Sequence, residues 1–255
     1  MIAFTLRAPK RGNTERECED ASRVRHEDGT VLAAVADGAS ESLLAGEWAD
    51  LLTATLLDTA LLDTAVDVVA DADRFAAALV AAGRSWRVWL EDYVAGREEA
   101  GRPIAWYEQP KLDRGPHATV LAARFAEGRW DAAALGDSCL FHVREDRLEC
   151  AFPLHSPADF DNSPPLVNAF TEDTALLARH VRTASGRTEP GDGFFLCTDA
   201  VAEWFLRETG RGGRPWRVLR GFGADHDGFT AWLDGVREEG LMRNDDVTVV
   251  HLDPG

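Results

Sequence analysis

The sequence predicts an α+β sandwich, and three observations support this prediction. Short apolar runs typical of strands occur near both ends of the chain and in a closely spaced series in the middle. Two long stretches with apolar residues at helical spacing separate the first runs from that series. Strands and helices therefore come in blocks, which favours separate sheet and helix layers over an alternating parallel sheet. No linker divides the 255 residues, so we expect a single domain over residues 1–255.

In the first third of the chain, the sequence pattern predicts two strands and a pair of helices. Residues 2–6 form a short β-like run, and residues 30–36 (TVLAAVA) form a continuous apolar stretch that fits a strand buried on both faces. A helical pattern follows, for which Ser40 or Ser42 is the expected N-cap. Residues 74–94 give a second amphipathic helix, expected to lie antiparallel to the first.

The rest of the chain predicts an antiparallel meander, then helices and two further strands. An irregular segment covers residues 153–175, a strand covers 194–198 and an exposed, mobile loop covers 210–215. A helix is expected around residues 229–239 and a closing strand at 247–252. The meander consists of four short strands, at residues 118–125, 130–135, 139–143 and 148–152.

Composition and charge exclude several classes of function. Apolar residues make up 45% of the chain and charged residues 28%, which is ordinary for a soluble globular protein. The net charge is −17 and no basic cluster exceeds Lys10-Arg11, so we expect no nucleic-acid partner. The N-terminus turns polar too quickly for a signal peptide, and no apolar run approaches the roughly 20 residues that cross a bilayer. We therefore expect a cytoplasmic protein that does not associate with membranes.

The four cysteines show no spacing typical of a metal site or of a disulfide scaffold. We expect reduced thiols that mostly pack in the core.

Acidic residues stand at the ends of several predicted strands. Because strands of one sheet can bring their ends together, these carboxylates are candidates for one cluster, which would repel itself unless cations bound there. An all-oxygen site of this kind suits Mg²⁺ or Mn²⁺. Each position taken alone also fits a helix N-cap or a turn residue. The carboxylates occur in VADG (Asp37), LGDS (Asp137), CTDA (Asp199), NDDV (Asp245 and Asp246) and CEDA (Glu19 and Asp20).

In this order the motifs EDA (19–21), VADGAS (35–40), GDS (136–138), TDA (198–200) and DDVTVV (245–250) resemble those of a known family. The chain resembles the metal-dependent (PPM, type 2C) protein serine/threonine phosphatases, and more specifically their bacterial branch. The resemblance spans nearly the whole chain. It implies a four-layer α-β-β-α sandwich of two mainly antiparallel sheets flanked by helix pairs.

The resemblance also implies a role for each carboxylate. Asp37 would bridge two Mn²⁺ or Mg²⁺ ions, and the carbonyl of Gly38 would ligate one of them. Asp20 would be catalytic through a water held at the ions. Two such ions acidify a bridging water and stabilise an in-line displacement at phosphorus, so no covalent phosphoenzyme is needed. The other implied ligands are Asp199 and Asp245 for one ion, Glu19 for the other, and Asp137 for a weaker third ion.

The chain departs from the family pattern at several positions. Ala200 stands where Gly is usual, which requires a negative φ there, and Asp246 stands where Asn is common. Ala39 replaces a histidine that eukaryotic members use as a general acid. The position of the phosphate-binding arginine is occupied by Glu15, so Arg16 is the nearest catalytic candidate. Other candidates are Lys10, Arg11 and Arg25.

The leading functional prediction is hydrolysis of phosphoserine and phosphothreonine on proteins. The expected partner is a phosphorylated protein, either a cognate kinase or its target. A second hypothesis is a catalytically weak or inactive phosphatase-like regulatory or binding module, because the arginine register, Ala200 and Ala39 all depart from the pattern. A third is hydrolysis of small phosphorylated metabolites.

Overall fold

The strands of the protein form two antiparallel sheets. The computed structural model describes residues 2–62, 68–161 and 163–253, and these contain eleven strands and seven α-helices. The strands are β1 (Ile2–Ala8), β2 (Asp20–Glu27), β3 (Thr30–Gly38), β4 (His117–Ala126), β5 (Arg129–Leu135), β6 (Cys139–Arg144), β7 (Arg147–Phe152), β8 (Val167–Asn168), β9 (Arg182–Arg187), β10 (Gly193–Cys197) and β11 (Val247–Asp253). The helices are α1 (Ala45–Leu62), α2 (Ala72–Glu99), α3 (Gln109–Arg114), α4 (Thr174–His180), α5 (Asp199–Gly210), α6 (Pro215–Phe222) and α7 (His226–Glu238).

The two sheets pack face to face, and helices cover their outer faces. The first sheet has the order β1-β11-β10-β6-β7, and the second has the order β2-β3-β4-β5-β9 with β8 paired to β4. Helices α1, α2 and α4 pack on the second sheet, and α5, α6 and α7 pack on the first. The predicted four-layer α-β-β-α sandwich is confirmed.

Strand β3 shows why the sandwich forms. Its side chains alternate: Ala33 and Val35 point into the core between the sheets, whereas Ala34 and Ala36 point toward α1 and α2. Both sets are fully buried, which explains why the strand is a continuous apolar run. The core between the sheets also contains Phe194 of β10, so it joins the two layers.

The predicted meander is wrong at one connection. Strands β4 and β5 pair with each other, as do β6 and β7, but β5 lies in the second sheet and β6 in the first. The chain crosses between the sheets at Gly136-Asp137-Ser138. Gly136 has φ 112°, a conformation that glycine adopts without strain, so the chain can turn sharply here.

Two local predictions also need correction, and one strand was not predicted. Helix α1 begins at Ala45, and neither serine caps it: Ser42 accepts a hydrogen bond from the His117 N–H (3.3 Å) instead. The predicted loop at residues 210–215 is shorter, because α5 extends to Gly210 and α6 begins at the buried Pro215. Strand β2 was missed, since its sequence DASRVRHE is too polar to read as a strand and lies at the edge of its sheet.

The cysteines are free thiols, and three of the four are buried. Within the described residues, no helix has the length and apolar character needed to cross a membrane.

Candidate functional site

Asp20 and Asp37 lie side by side at one edge of the second sheet. Asp20 is the first residue of β2, Asp37 is the penultimate residue of β3, and the two are directly opposite in the antiparallel register. The hairpin pairing of β2 and β3 therefore brings two carboxylates together. On its other side Asp37 faces Thr119 of β4.

Three further predicted carboxylates reach the same place from the first sheet. Asp137 lies in the crossing between β5 and β6, Asp199 is the first residue of α5 after β10, and Asp245 lies two residues before β11. Together with Asp37 and Gly38 they line one pocket of about 700 Å³. These residues, which the sequence placed at strand ends expected to meet, lie around one pocket.

Asp20 lies behind this pocket and is only 2% exposed. Its Oδ2 accepts a hydrogen bond from the Thr198 hydroxyl (2.8 Å), which in turn accepts one from the Thr248 N–H (2.9 Å). Its Oδ1 is buried without a partner. Burial raises the pKa of Asp20 to about 7, against the hydrogen bond from Thr198, which lowers it.

The pocket carboxylates also disfavour one another's ionisation. Burial raises the pKa of Asp37 well above its usual value, and the neighbouring charges of Asp20, Asp137 and Asp245 raise it further. Burial raises the pKa of Asp137 to about 6, and its Oδ1 is buried without a partner. When these carboxylates are ionised the site concentrates negative charge, which protonation or a bound cation can neutralise.

Arg243 supplies one positive charge inside the cluster. Its guanidinium forms an ion pair with Asp199 and approaches Asp245, with 3.8 Å between Nε and Oδ2. The charge of Arg243 lowers the pKa values of Asp37 and Asp137, against the effect of burial. In the part of the chain that the structure describes, no three Asp, Glu, His or Cys side chains are grouped closely enough to hold a metal ion.

Asp246 connects the site to the N-terminal segment. Its Oδ1 accepts a hydrogen bond from the Lys10 N–H (2.7 Å) and its Oδ2 accepts one from the Glu19 N–H (2.8 Å). A carboxylate can accept both bonds, whereas the nitrogen of an Asn amide cannot accept either. The two bonds fix the segment that carries Glu19, whose Oε2 lies 3.7 Å from the Lys10 Nζ.

Comparison with known proteins places this arrangement in a family. A sequence profile of the family described as "Protein phosphatase 2C" matches residues 10–236, which is most of the chain. The chain belongs to the protein phosphatase 2C family. The resemblance stated from the motifs is thereby confirmed.

Solved structures show the same fold as this phosphatase 2C chain. The Mycobacterium tuberculosis serine/threonine phosphatase PstP/Ppp aligns with TM-score 0.60 and 18% identity, covering 99% of each chain. PppA, described as a key regulatory component of T6SS in Pseudomonas aeruginosa, aligns with TM-score 0.57 and 19% identity, covering 99% of this chain and 96% of its own. The catalytic domain of PstP in complex with two manganese ions aligns with TM-score 0.59 and 17% identity, covering 98% and 97%. The comparison with curated proteins found no match.

The structure places the phosphate-binding candidate Arg16 outside the pocket of this phosphatase 2C domain. Arg16 is exposed on a single-turn 3-10 helix, Glu15–Glu17, and lines a neighbouring groove together with Glu19. The basic residues that line the carboxylate pocket are Lys111, Arg114 and Arg243. Lys111 and Arg114 adjoin no predicted motif, so only their position in the fold identifies them, whereas Arg243 directly precedes the motif NDDV.

The other basic candidates for phosphate binding also lie outside the pocket. Lys10 Nζ donates a hydrogen bond to the Ser40 hydroxyl (3.0 Å), beside Glu19. Arg11 pairs with Glu238, and Arg25 pairs with Asp58, away from the pocket.

His117 lines the pocket, and its ring is occupied by protein partners. The Phe170 N–H donates to Asn168 Oδ1 (2.8 Å), which turns Asn168 Nδ2 toward His117 Nε2 (3.0 Å). Nδ2 is a donor, so Nε2 accepts and the imidazole is neutral. Burial and Arg114 lower the pKa of His117, in agreement with the neutral form. The Ala39 N–H donates to the His117 carbonyl (2.9 Å), so the position of the missing histidine lies next to a histidine whose Nε2 already has Asn168 as its partner.

The glycine and alanine positions are explained by packing. A Cβ on Gly38 would lie 2.7 Å from the backbone of Ala45 and 2.9 Å from the Glu19 carbonyl, so only glycine lets β3, α1 and the start of β2 approach so closely. Ala200 is a buried residue of α5, where φ is negative, and the substitution of the usual glycine therefore introduces no strain.

Proposed function

We propose that this protein phosphatase 2C domain is a divalent-metal-dependent hydrolase of phosphoserine and phosphothreonine on proteins. The observation that carries the proposal is that Asp37, Asp137, Asp199 and Asp245, contributed by the ends of both sheets, line a single pocket. Membership of the protein phosphatase 2C family supports phosphoester hydrolysis as the chemistry of this pocket. PstP, which has the same fold and is a serine/threonine phosphatase with two manganese ions, supports the substrate class.

The donor set fits Mn²⁺ or Mg²⁺. All the candidate ligands are oxygen atoms, which these ions prefer. Asp20 and Asp137 each have a buried Oδ1 without a hydrogen-bond partner, and such an atom is costly unless a ligand contacts it. Among the described residues, no three acidic side chains lie close enough together to bind one ion. The carboxylates would therefore have to rotate toward the ions when these bind. The residues that would hold two ions, and a weaker third, are Glu19, Asp37, the Gly38 carbonyl, Asp137, Asp199 and Asp245.

The chain itself orients the reacting groups. When bound, the ions supply charge stabilisation at the phosphoryl group and lower the pKa of a water molecule. The Thr198 hydroxyl holds Asp20 in one orientation, and the unpartnered Oδ1 of Asp20 is then free to accept a hydrogen bond from water. Lys111 and Arg114 on α3 form a basic part of the pocket wall that suits an anionic substrate.

The expected substrate is a phosphorylated protein, namely a cognate kinase or its target. Hydrolysis of small phosphorylated metabolites is a lower-ranked alternative. A regulatory module without turnover is the second candidate function, and it is favoured by one observation: Arg243 pairs with Asp199 and approaches Asp245, both of which would be needed as ligands.

The decisive experiment measures metal binding and turnover on the same samples. Wild-type protein should bind Mn²⁺ in calorimetry and hydrolyse an aryl phosphate and a phosphoserine peptide only with the metal. Asp37→Asn should reduce turnover at least about a hundred-fold, because Asp37 is one of the residues that would hold the ions. Asp227→Asn, an exposed acid in the first turn of α7, is the matched control and should leave both readouts unchanged.

Each contrary result has a specific meaning. Full activity of Asp37→Asn, or no Mn²⁺-dependent turnover by the wild type, would exclude the proposed reaction. Binding of Mn²⁺ and phosphopeptide without turnover would instead support the regulatory module. Preference for small phosphate esters in competition with the peptide would favour a metabolite phosphatase.

A further inference from the structure

Arg243 is a cationic side chain of the pocket, two residues before Asp245 of the motif DDVTVV. It lies between α7 and β11, and its side chain is 35% exposed. Its backbone is held in place: the Arg243 carbonyl accepts a hydrogen bond from the Asp245 N–H (3.1 Å), and Arg237 donates to the Asp245 carbonyl. The backbone is therefore held at both residues, while the guanidinium stands at the end of a long side chain with several rotatable bonds.

The guanidinium contacts two of the proposed metal ligands. It pairs with Asp199 and approaches Asp245, and among the described residues no other basic side chain forms an ion pair with either. A divalent ion bound by the same carboxylate oxygens would compete directly with the guanidinium, because both need those oxygens and like charges repel. Arg243 and the ion are thus alternative partners of Asp199 and Asp245.

We propose that Arg243 is an internal cation that pairs with Asp199 and Asp245 in the metal-free protein, is displaced by the divalent ion, and then binds the phosphate group of the substrate. This inference rests on the proposed phosphatase function. It assigns the phosphate-binding role to a residue of the pocket in place of Arg16.

Guanidinium chemistry supports the second step. Arginine presents five N–H donors in a planar fork that matches two oxygens of a phosphate group. Once displaced, the Arg243 side chain stays in the pocket, since its backbone is fixed and it already lines the wall beside Asp37 and Asp137. Arg16 lines a different groove and lacks this position.

The first test measures Mn²⁺ binding by calorimetry in wild type and Arg243→Gln. Removal of the competing guanidinium should tighten Mn²⁺ binding about five-fold, the scale expected for a partly exposed ion pair. Arg114→Gln removes a positive charge from the same pocket without removing a contact to Asp199 or Asp245. It should change Mn²⁺ affinity much less, which separates displacement from a general charge effect.

The second test measures binding of inorganic phosphate, the reaction product, to the Mn²⁺-loaded proteins. Arg243→Gln should weaken phosphate binding about ten-fold or more. Arg243→Lys keeps the charge but loses the fork, so it should show Mn²⁺ affinity near that of the wild type and still bind phosphate more weakly. Circular dichroism of each variant checks that the protein is folded, and Arg243→Lys preserves the test if Arg243→Gln unfolds.

Equal Mn²⁺ affinity in wild type and Arg243→Gln would overturn the displacement step. Unchanged phosphate affinity in both Arg243 variants would overturn the phosphate-binding step. If the wild type fails to bind Mn²⁺ at all, the proposed function fails, and the inference about Arg243 fails with it. If the wild type binds Mn²⁺ and hydrolyses phosphate esters while the Arg243 variants behave like it, only the inference is overturned.

Discussion

Asp20 shows how one residue connects the sequence motif to the energetics of the site. The carboxylate is nearly inaccessible to solvent, accepts a hydrogen bond from Thr198, and lies in register with Asp37. Burial therefore favours its protonated form, and the pKa rises to about 7. In the metal-free protein this raised pKa must make stability depend on pH.

The sign of this dependence follows from proton linkage. Between the unfolded pKa of about 4 and the folded pKa of about 7, the folded state binds more protons at Asp20 than the unfolded state. The contribution of Asp20 to stability is therefore fully present below pH 4 and is lost as the pH rises to 7. Burial lowers the pKa of His251 to about 4. Between pH 4 and its unfolded pKa of about 6.5, the contribution of His251 to stability therefore rises with pH, opposite to that of Asp20.

We expect Asp20→Asn to isolate the Asp20 contribution. In the presence of a chelator, the melting temperature of Asp20→Asn relative to wild type should increase from pH 5 to pH 8, by about 3 °C or more. Thermal unfolding followed by circular dichroism measures this difference. Asp227→Asn, which changes an exposed acid, should show no such trend. A constant difference between Asp20→Asn and wild type across this range would contradict the raised pKa.

For single residues, the sequence predicted which carboxylates lie together, but it did not predict their side-chain partners. Asp37, Asp137, Asp199 and Asp245 were placed together because each stands at a strand end, and strand ends meet at a sheet edge. The pairing of Arg243 depends on the loop after α7, whose course no periodicity specifies.

The role of Asp246 is likewise not visible in the sequence, because its two backbone partners are more than 200 positions away.

The connection between β5 and β6 is the element that shapes the pocket. It moves the chain from one sheet to the other and places Asp137 between them. Gly136 makes this possible with φ 112°, and a Cβ there would lie 2.5 Å from the Cβ of Thr119. The predicted meander places a turn between the strands at residues 130–135 and 139–143. The change of sheet was not predicted, because both kinds of connection use the same short glycine-containing turn.

We expect Gly136→Ala to destabilise the protein by at least about 2 kcal/mol, because it combines an unfavourable φ with a steric overlap. Urea unfolding measures this change. Gly235→Ala is the matched control: Gly235 lies inside α7 with no neighbour within 4 Å of the added Cβ, so this change should stabilise by about 0.5–1 kcal/mol. Equal stability of Gly136→Ala and wild type would show that the crossing tolerates a different backbone.

At the scale of the whole molecule, two helix-covered layers share one central core. Leu52 of α1 is fully buried on the second sheet, and Leu233 of α7 is fully buried on the first. The core between the sheets joins them through residues such as Val35 and Phe194. The α+β sandwich followed from the block order of strands and helices, whereas the pairing order within each sheet required contacts that the sequence does not encode locally.

A single domain over residues 1–255 requires that neither layer unfolds alone. Leu52→Ala and Leu233→Ala remove equivalent buried volume from opposite layers, and each should destabilise the protein by about 2–5 kcal/mol. If the shared core makes unfolding cooperative, each variant should shift one urea transition, with tryptophan fluorescence and far-ultraviolet circular dichroism coincident. Separate unfolding of the layers would instead give two transitions, of which Leu52→Ala moves one and Leu233→Ala the other. Because the pocket carboxylates come from both layers, such a split would also predict loss of Mn²⁺ binding at the first transition.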